Sequence, residues 1–392
     1  MVDLGVSPLS NALVSPADVG SKETFYPLQI FVCARCFLVQ SPTQQTPEQL
    51  FPPDYAYFSS YSTTWLAHAK QFVESIISRL ALRPTDLVVE LASNDGYLLQ
   101  YFAANSIAVL GIEPAANVAA AAEARGIRTQ QSFFNSSVAT EVRRTQGPAK
   151  LVVANNVLAH VPDLNDFVSG IATLLDSTGT ATIEFPHVLN LINDVQFDTI
   201  YHEHFSYFSL YAASSVFERH RLTVVDVEEL PTHGGSLRLY VCPAGRPAAP
   251  HVAALIEREK SAGLNRLETF CGFSGRVDAV KHKLLRFLIE SRESGKRVVG
   301  YGAAAKASTL LNYCGIRTDL IDFIADLSTR KQGSFIPGVR VPIVDPGRIE
   351  AERPEYVLIL PWNLRNEIAE QLHVVRSWHG QFVVALPSLE VF

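Results

Sequence analysis

The sequence predicts an α/β protein of several domains with two separate doubly wound sheets. Short apolar runs of strand length alternate with helical patterns across residues 87–185, and a second such alternation begins at residue 297. At 392 residues the chain exceeds one ordinary domain. Hydrophobic residues make up 47% and charged residues 18%, which leaves ample apolar material for cores.

Taken in order, the first 60 residues are rich in Pro, Ser, Tyr and Phe and show little periodicity. They read as an irregular module around Cys33-Ala34-Arg35-Cys36. A helix is expected from about Thr64 to Leu82, with His68, Lys70, Glu74 and Ser78 on its polar face. The run Leu87-Val88-Val89-Glu90-Leu91 reads as a strand, followed by a Gly loop and a helix over Tyr97–Ala104. A second strand over Ala108–Glu113 precedes an Ala-rich helix, Asn117–Arg125. A strand over Leu151–Ala154, a helix over Asp163–Leu175 and a strand over Gly179–Phe185 continue the pattern. Pieces between Leu222 and Cys242 complete this sheet with an antiparallel edge. Residues 251–296 read as helical, through Ala253–Lys260 and Arg276–Ser294. The second alternation runs through Arg297–Gly302, Leu320–Asp326, Tyr356–Leu360 and Phe382–Ala385. The expected units are 1–62, 63–250 and 251–392.

The formal net charge of -6 argues against a nucleic-acid or anionic-membrane partner held by bulk charge. No run of roughly 18 uncharged apolar residues is present, so no membrane span is expected. The N-terminus lacks the basic stretch and apolar core of a secretory signal. Five sparse cysteines, Cys33, Cys36, Cys242, Cys271 and Cys314, fit a reducing cytoplasm better than a disulfide framework.

Ligands of a doubly wound sheet bind at strand carboxyl ends where the topology switches. Ala92-Ser93-Asn94-Asp95-Gly96 follows the first strand of the alternation. Its small residues permit close backbone approach, and Gly96 can supply an unusual dihedral. The loop is acidic and lacks a P-loop lysine, so a sulfonium carrying an amino-acid tail suits it better than a triphosphate. Glu113, ending the next strand, can accept both hydroxyls of a ribose. The combination points to S-adenosylmethionine. A NAD-type loop is the competitor, but G-x-G-x-x-G is absent here, and an ordinary βα turn is the other reading. The candidate cofactor residues are Glu90, Ala92, Ser93, Asn94, Asp95, Gly96, Glu113, Pro114, Asn155 and Asn156.

Tyr201-His202-Glu203-His204-Phe205-Ser206-Tyr207 is the densest cluster of titratable and aromatic groups. It follows Glu184-Phe185-Pro186, where the α/β rule places a substrate. An imidazole with an ordinary pKa of ~6.5 can take a proton near neutral pH. A neighbouring Glu can orient it, and a Tyr can donate to a developing oxyanion. A metal site and a structural histidine cluster are the alternatives. His202 and His204 are spaced i, i+2, unlike the i, i+4 pair of a helical zinc site. His160, in Asn155-Asn156-Val157-Leu158-Ala159-His160-Val161, reads either as loop packing or as a site residue. Gly300-Tyr301-Gly302-Ala303-Ala304-Ala305-Lys306 follows a strand and opens a helix. A helix N-terminus with Lys306 favours a pyrophosphate, and a tight turn with a solvated lysine is the other reading.

Together these segments resemble the bacterial nucleotide-deoxysugar C-methyltransferases. Glu90 to Gly96, Asn156 to Val161, Glu184-Phe185-Pro186, Tyr201-His202-Glu203-His204, His233-Gly234-Gly235-Ser236-Leu237-Arg238 and Gly300 to Lys306 carry the resemblance, which spans nearly the whole chain. That family acts on dTDP-4-keto-6-deoxysugars on the way to branched sugars of antibiotics. The resemblance implies a central class I methyltransferase Rossmann-like domain, a small N-terminal zinc-knuckle-like module and a C-terminal Rossmann-like α/β domain. It implies S-adenosylmethionine as cofactor and a dTDP-linked deoxysugar as substrate, methylated at C-3', with C-5' as the alternative carbon. It also implies that His204 removes the proton next to the C-4' ketone and that the enolate attacks the methyl. Tyr201 and His160 would help hold the enolate oxygen, and Glu203 would lie in the site. Tyr55 or Tyr57, in Asp54-Tyr55-Ala56-Tyr57-Phe58-Ser59-Ser60, would close over cofactor or sugar. The sugar nucleotide would be met by His202, His233, Gly234, Gly235, Ser236, Gly300, Tyr301, Gly302, Ala303, Lys306 and Lys331, with Trp362-Asn363 nearby. An O- or N-methyltransferase, or a non-catalytic nucleotide-sugar binding protein, would leave the extra Tyr and His unexplained.

The family usually carries two C-x-x-C pairs that together ligate zinc, whereas this sequence has Cys33 and Cys36 alone. Two thiolates cannot close a tetrahedral site, and no histidine precedes His68 to replace the others. Structural zinc is therefore not expected from this pair by itself.

Overall fold

The computed structural model describes residues 1–42, 45–50, 55 and 57–392. Asp54 and Ala56 of the Tyr55–Tyr57 segment lie outside the described residues. Three sheets organise the chain. The central one has seven strands in the order Leu222–Leu230, Ser236–Pro243, Leu175–Pro186, Ala149–Asn155, Leu87–Leu91, Ala108–Ile112 and Thr129–Gln130. The last five run parallel to one another. Every residue of Leu87–Leu91 is buried, as a strand covered on both faces requires. One face packs helices Ser136–Gln146, Leu164–Leu174 and Leu210–Arg219, and the other packs Thr63–Leu80 and Leu99–Ala104. Each fully buried Val or Leu there contributes roughly 1.5–3 kcal/mol.

The antiparallel strand is not at the edge that the sequence suggested. Ser236–Pro243 inserts between Leu175–Pro186 and Leu222–Leu230, antiparallel to both. The edge strand therefore runs parallel to the rest. Helices Ser136–Gln146 and Leu210–Arg219 escaped the sequence reading.

The N-terminal module is more regular than expected. Val2–Ser7 and Tyr26–Val32 pair antiparallel, and Val39–Gln40 joins them to Ser206–Tyr207 at the end of the His-rich segment. The third sheet runs Ile343–Val344, Ile324–Ala325, Val298–Tyr301, Tyr356–Ile359, Gln381–Val384 and Glu390–Val391, parallel except for its last strand. Of the expected strand Leu320–Asp326 only Ile324–Ala325 is extended in the sheet.

One apolar core joins Leu28 and Ile30 of the module, Val188 to Ile200, and the third sheet with helix Phe273–Glu293. Residues 188–200 thus pack with the C-terminal layers although they fall inside the 63–250 span. No helix among the described residues is long and apolar enough to cross a membrane.

Candidate active site

Two crevices face each other. The order of the central sheet reverses between Leu87–Leu91 and Ala149–Asn155, and that of the third sheet between Val298–Tyr301 and Tyr356–Ile359. Such reversals open clefts at strand carboxyl ends. Across the gap, Thr64 Oγ1 donates to Glu367 (2.9 Å) and the Arg330 guanidinium lies over Phe58 (4.5 Å).

At the first crevice, Ala92, Asn94 and Gly96 all have positive φ (55°, 48° and 76°), a strained turn of the kind that gathers at functional sites. Gly111 is required by packing, since a Cβ there would collide with Ser93 Oγ. The Glu113 carboxylate accepts the N–H of Asn94 (3.0 Å) and of Ala115 (2.9 Å). Burial raises its pKa, the two N–H groups oppose that rise, and the nearby Asp95 adds to it. Each Glu113 oxygen thus keeps a lone pair for a ribose hydroxyl. The buried atoms Ser93 Oγ, Asp95 Oδ1 and Asn156 Oδ1 have no hydrogen-bond partner among the described residues. Buried orphan acceptors beside two carboxylates fit a cationic ligand with N–H and O–H donors, as S-adenosylmethionine is.

The Asn94 and Asp95 side chains turn toward the N-terminal segment. Asn94 Oδ1 accepts the N–H of Ser59 (2.8 Å), Asn94 Nδ2 donates to the Tyr57 carbonyl (3.3 Å), and Asp95 pairs with Ser60 and with Arg125 (3.0 Å). They clip residues 57–60 over the loop. Tyr57 is 50% exposed, whereas Tyr55 is half-buried, its carbonyl accepting from Asn117 Nδ2 (2.9 Å).

The His-rich segment lies between the crevices, packed on residues 197–200. His204 is buried and its ring faces Tyr201 (centroids 4.0 Å apart), His160 (4.7 Å) and Tyr207 (5.7 Å). His204 Nδ1 lies 2.9 Å from the Thr199 carbonyl. A carbonyl only accepts, so Nδ1 carries the proton and Nε2 carries a lone pair. Burial holds this imidazole well below its ordinary pKa; His160, His233 and Lys306 push the same way against the Thr199 carbonyl. Burial thus favours the neutral form of the His204 imidazole.

His160 Nδ1 likewise donates to the Glu203 carbonyl (2.7 Å), and burial lowers its pKa to about 4. Tyr201 keeps its proton, because burial and the charge of Glu203 raise its pKa well above the usual value, so it can donate. Glu203 accepts from Asn11 Nδ2 of the N-terminal module (3.1 Å), and burial lifts its pKa to about 7. The other member of the cluster, His202, points away: its Nε2 donates to the Tyr26 carbonyl (3.3 Å) and its ring packs edge-on against Tyr26.

His233 adopts φ +54°, and its Nε2 accepts from Asn156 Nδ2 (3.3 Å). Gly234 and Gly235 have positive φ, and a Cβ on either would collide with Trp362 or Asn190 respectively. Their glycine requirement is thus set by packing, and the Ser236 hydroxyl donates to the Thr232 carbonyl (3.0 Å). Sequence reasoning did not single out the roles of His68, Trp65 and Glu184. Trp65 stacks on His68, Tyr97 and His233, while buried Glu184 is bonded by Arg238 (2.8 Å) and His68 (3.2 Å).

At the second crevice, Gly300 packs its backbone on Ile324, Tyr301 is buried, and Gly302 (φ +91°) presses on Pro361. The Ala303 N–H donates to Asp326 (2.7 Å), and Lys331 Nζ donates to the Ala303 carbonyl (3.0 Å). Lys306 Nζ donates to Asn363 Oδ1 (2.9 Å) and lies 4.6 Å over the Trp362 ring. Its charge also reaches His204 and His233, so the lysine serves the space between the crevices as well as the Gly loop.

Cys33 and Cys36 sit on a turn closed by the Phe37 N–H and the Cys33 carbonyl (2.9 Å). Among the described residues no group of three or more His, Cys, Asp or Glu is placed to hold a metal ion. Two thiols alone do not fit tetrahedral zinc.

Three family models match in succession: a zinc binding domain over residues 1–51, a methyltransferase domain over 65–227, and a C-methyltransferase C-terminal domain over 231–387. The chain is 35% identical to the C-methyltransferase NovU of Streptomyces niveus, over 100% of this chain and 93% of that protein. Among solved structures it is similar to an S-adenosylmethionine-dependent methyltransferase of Clostridium acetobutylicum ATCC 824 (12% identity, 45% of this chain, 91% of that one, TM-score 0.36). It is also similar to the PH0226 protein of Pyrococcus horikoshii OT3 (12% identity, 50% and 97%, TM-score 0.38). The full-length relative turns the choice among carbon, oxygen and nitrogen acceptors toward carbon, and away from a non-catalytic binding protein. The chain belongs to the C-methyltransferase family, and it is an S-adenosylmethionine-dependent C-methyltransferase.

Proposed function

We propose that the chain methylates carbon C-3' of a nucleotide-linked 4-keto-deoxysugar, the nucleotide being dTDP, with His204 as the base. The observation that carries this reading is the neutral, buried His204 with its Nε2 lone pair beside the Tyr201 phenol. A carbon acid beside a ketone needs a base and an oxyanion donor in surroundings that exclude water. His204 Nε2 takes the C-3' proton, and the electron pair moves onto the C-4' oxygen, where the Tyr201 hydroxyl donates to it. The bound sulfonium supplies an electrophilic methyl. With the cofactor bound, the new C–C bond would form as the enolate collapses to the ketone and the methyl's bond to sulfur breaks, leaving the neutral thioether S-adenosylhomocysteine, and His204 then releases its proton. Glu113 and the 92–96 loop hold the cofactor ribose and tail. Lys306 and Lys331, with the loop at Gly302, meet the nucleotide diphosphate. Burial in water-poor surroundings is what keeps His204 neutral and makes each hydrogen bond stronger than it would be in water.

The test is dTDP-4-keto-6-deoxyglucose with S-adenosylmethionine, the product's methyl located by NMR. His204→Ala should retain cofactor binding and lose roughly 10²–10⁴-fold in methyl transfer. A rate near wild type in that variant would sink the base assignment. An inert wild type on every 4-keto sugar nucleotide offered would sink the substrate class.

A further inference from the structure

The segment that holds His204 is bonded within its own domain and also gripped from the third-sheet layers. The segment Asp198-Thr199-Ile200 ends a short 3-10 turn, Phe197–Thr199. Its closing carbonyls need partners, as at any helical end. The Thr199 carbonyl takes the His204 Nδ1–H at 2.9 Å. The residue after it is gripped by helix Ala305–Cys314, whose buried Thr309 donates Oγ1–H to the Ile200 carbonyl at 2.8 Å. The residue before it is gripped by Trp362, at the switch point of the third sheet, whose Nε1–H donates to Asp198 Oδ2 at 2.8 Å. Asp198 is fully buried, so neither grip is shared with solvent.

We infer that Thr309 and Trp362 are positioning residues for the reaction: they clamp the peptide on either side of Thr199, and the Thr199 carbonyl in turn fixes the tautomer and the aim of His204. The inference rests on the proposed role of His204. Its physical content is a lever. Without the clamp the Thr199 carbonyl can swing, and the imidazole loses the bond that keeps Nε2 unprotonated and directed. The same third-sheet loops, through Lys306 and Asn363 next to Trp362, are those proposed to meet the nucleotide, so nucleotide binding and base alignment share one scaffold.

Thr309→Val keeps the side-chain shape and removes only the donor. Trp362→Phe keeps an aromatic ring but removes the N–H together with part of the indole packed near Gly234 and Lys306, so Thr309→Val is the cleaner probe. Both should lower kcat by roughly ten- to a hundredfold, the scale of a misplaced catalytic group. Thr309→Val, which lies outside the loops proposed to meet the nucleotide, should leave the dTDP dissociation constant and the KM for the sugar nucleotide within about twofold of wild type, a pattern that separates aim from binding. Solvent-deuterium uptake at C-3' of dTDP-4-keto-6-deoxyglucose, measured without S-adenosylmethionine, should fall by the same factor as kcat. Thr309→Ser, which restores the hydroxyl, should recover most of the rate. Far-ultraviolet circular dichroism and dTDP binding verify that each variant is folded. If Thr309→Val is misfolded, Thr309→Ser against Thr309→Ala at matched folded fraction provides the comparison. Full kcat in folded Thr309→Val and Trp362→Phe, with His204→Ala inactive, overturns the clamp alone. Full activity in His204→Ala overturns the function on which it rests.

Discussion

The two facing crevices use one backbone device and opposite side chains. In the first, the carboxylate of Glu113, at the end of a neighbouring parallel strand, accepts an N–H from the loop and another two residues beyond itself. In the second, Asp326 does the same with Ala303 and Ser328 (2.7 and 2.8 Å). Around the first loop the carboxyl groups are Glu90, Asp95 and Glu113, with Arg125 already paired to Asp95 and Glu90 held well above the ordinary carboxyl pKa by burial. Around the second they are Lys306 and Lys331 beside Asp326. The difference teaches that a strand-end loop with an acid on the next strand says only that a nucleoside-like ligand fits there. The charge placed around the loop is what separates the two proposed ligands, since acidic groups favour a sulfonium and basic groups a diphosphate.

The largest expected effect breaks the comparison at its first term. Glu113→Ala removes two charge-assisted bonds to a ribose of about 1.5 kcal/mol each, so cofactor affinity should fall roughly a hundredfold. Calorimetry with S-adenosylhomocysteine and, separately, with dTDP reads this out. Cofactor affinity must drop while dTDP affinity stays; equal losses for both ligands would mean that Glu113 merely holds the fold.

What was legible in the sequence follows from contact range. The loop Ala92–Gly96, its strand and Glu113 are neighbours along the chain, and apolar runs with small residues reveal them directly. The same holds for Gly300–Lys306. The clamp on the base was not legible, because Trp362 meets Asp198 across 164 residues and Thr309 meets Ile200 across 109. Asn11 reaches Glu203 across 192 residues, from a module whose pairing is completed by Ser206–Tyr207 far along the chain. The contact of His160 Nδ1 with the Glu203 carbonyl depends on a backbone group that no residue pattern encodes. That Gly234 and Gly235 take positive φ and lie close to Trp362 and Asn190 is likewise set by contacts far along the chain.

A second experiment sharpens the comparison at the seam where the crevices meet. Burial lifts Glu203 to about 7 and Asp198 to about 6, and drops His160 and His233 to about 4. The two groups act on stability with opposite sign. A carboxyl whose folded pKa is raised binds more protons folded than unfolded, so its stabilisation is full below the unfolded value and is lost as pH rises to the folded one. A histidine whose folded pKa is lowered binds fewer, so stability falls as pH drops from ~6.5 toward about 4. Between these limits the effects offset one another. Glu203→Gln removes one side of the balance, so its stability should fall more steeply than wild type between pH 7.5 and 5, by about 2 kcal/mol. Denaturant titrations at the two pH values measure it, and parallel curves for variant and wild type would refute the balance.

The smallest expected effect tests the second term. Lys331 Nζ is held at 3.0 Å by the Ala303 carbonyl and lies 3.6 Å from Asp326, with only 22% of its side chain exposed. A cation fixed on the Gly loop in this way presents its remaining donor to whatever the loop cradles. Lys331→Met keeps the aliphatic stem and removes the charge. It should weaken dTDP binding about tenfold at low salt, with the loss shrinking as ionic strength rises, because a partly exposed cation is screened. Thymidine, which lacks the phosphates, should bind variant and wild type alike, and S-adenosylhomocysteine should not respond. If thymidine weakens as much as dTDP, Lys331 shapes the loop and does not meet the diphosphate, and the charge contrast between the crevices would then rest on Lys306 alone.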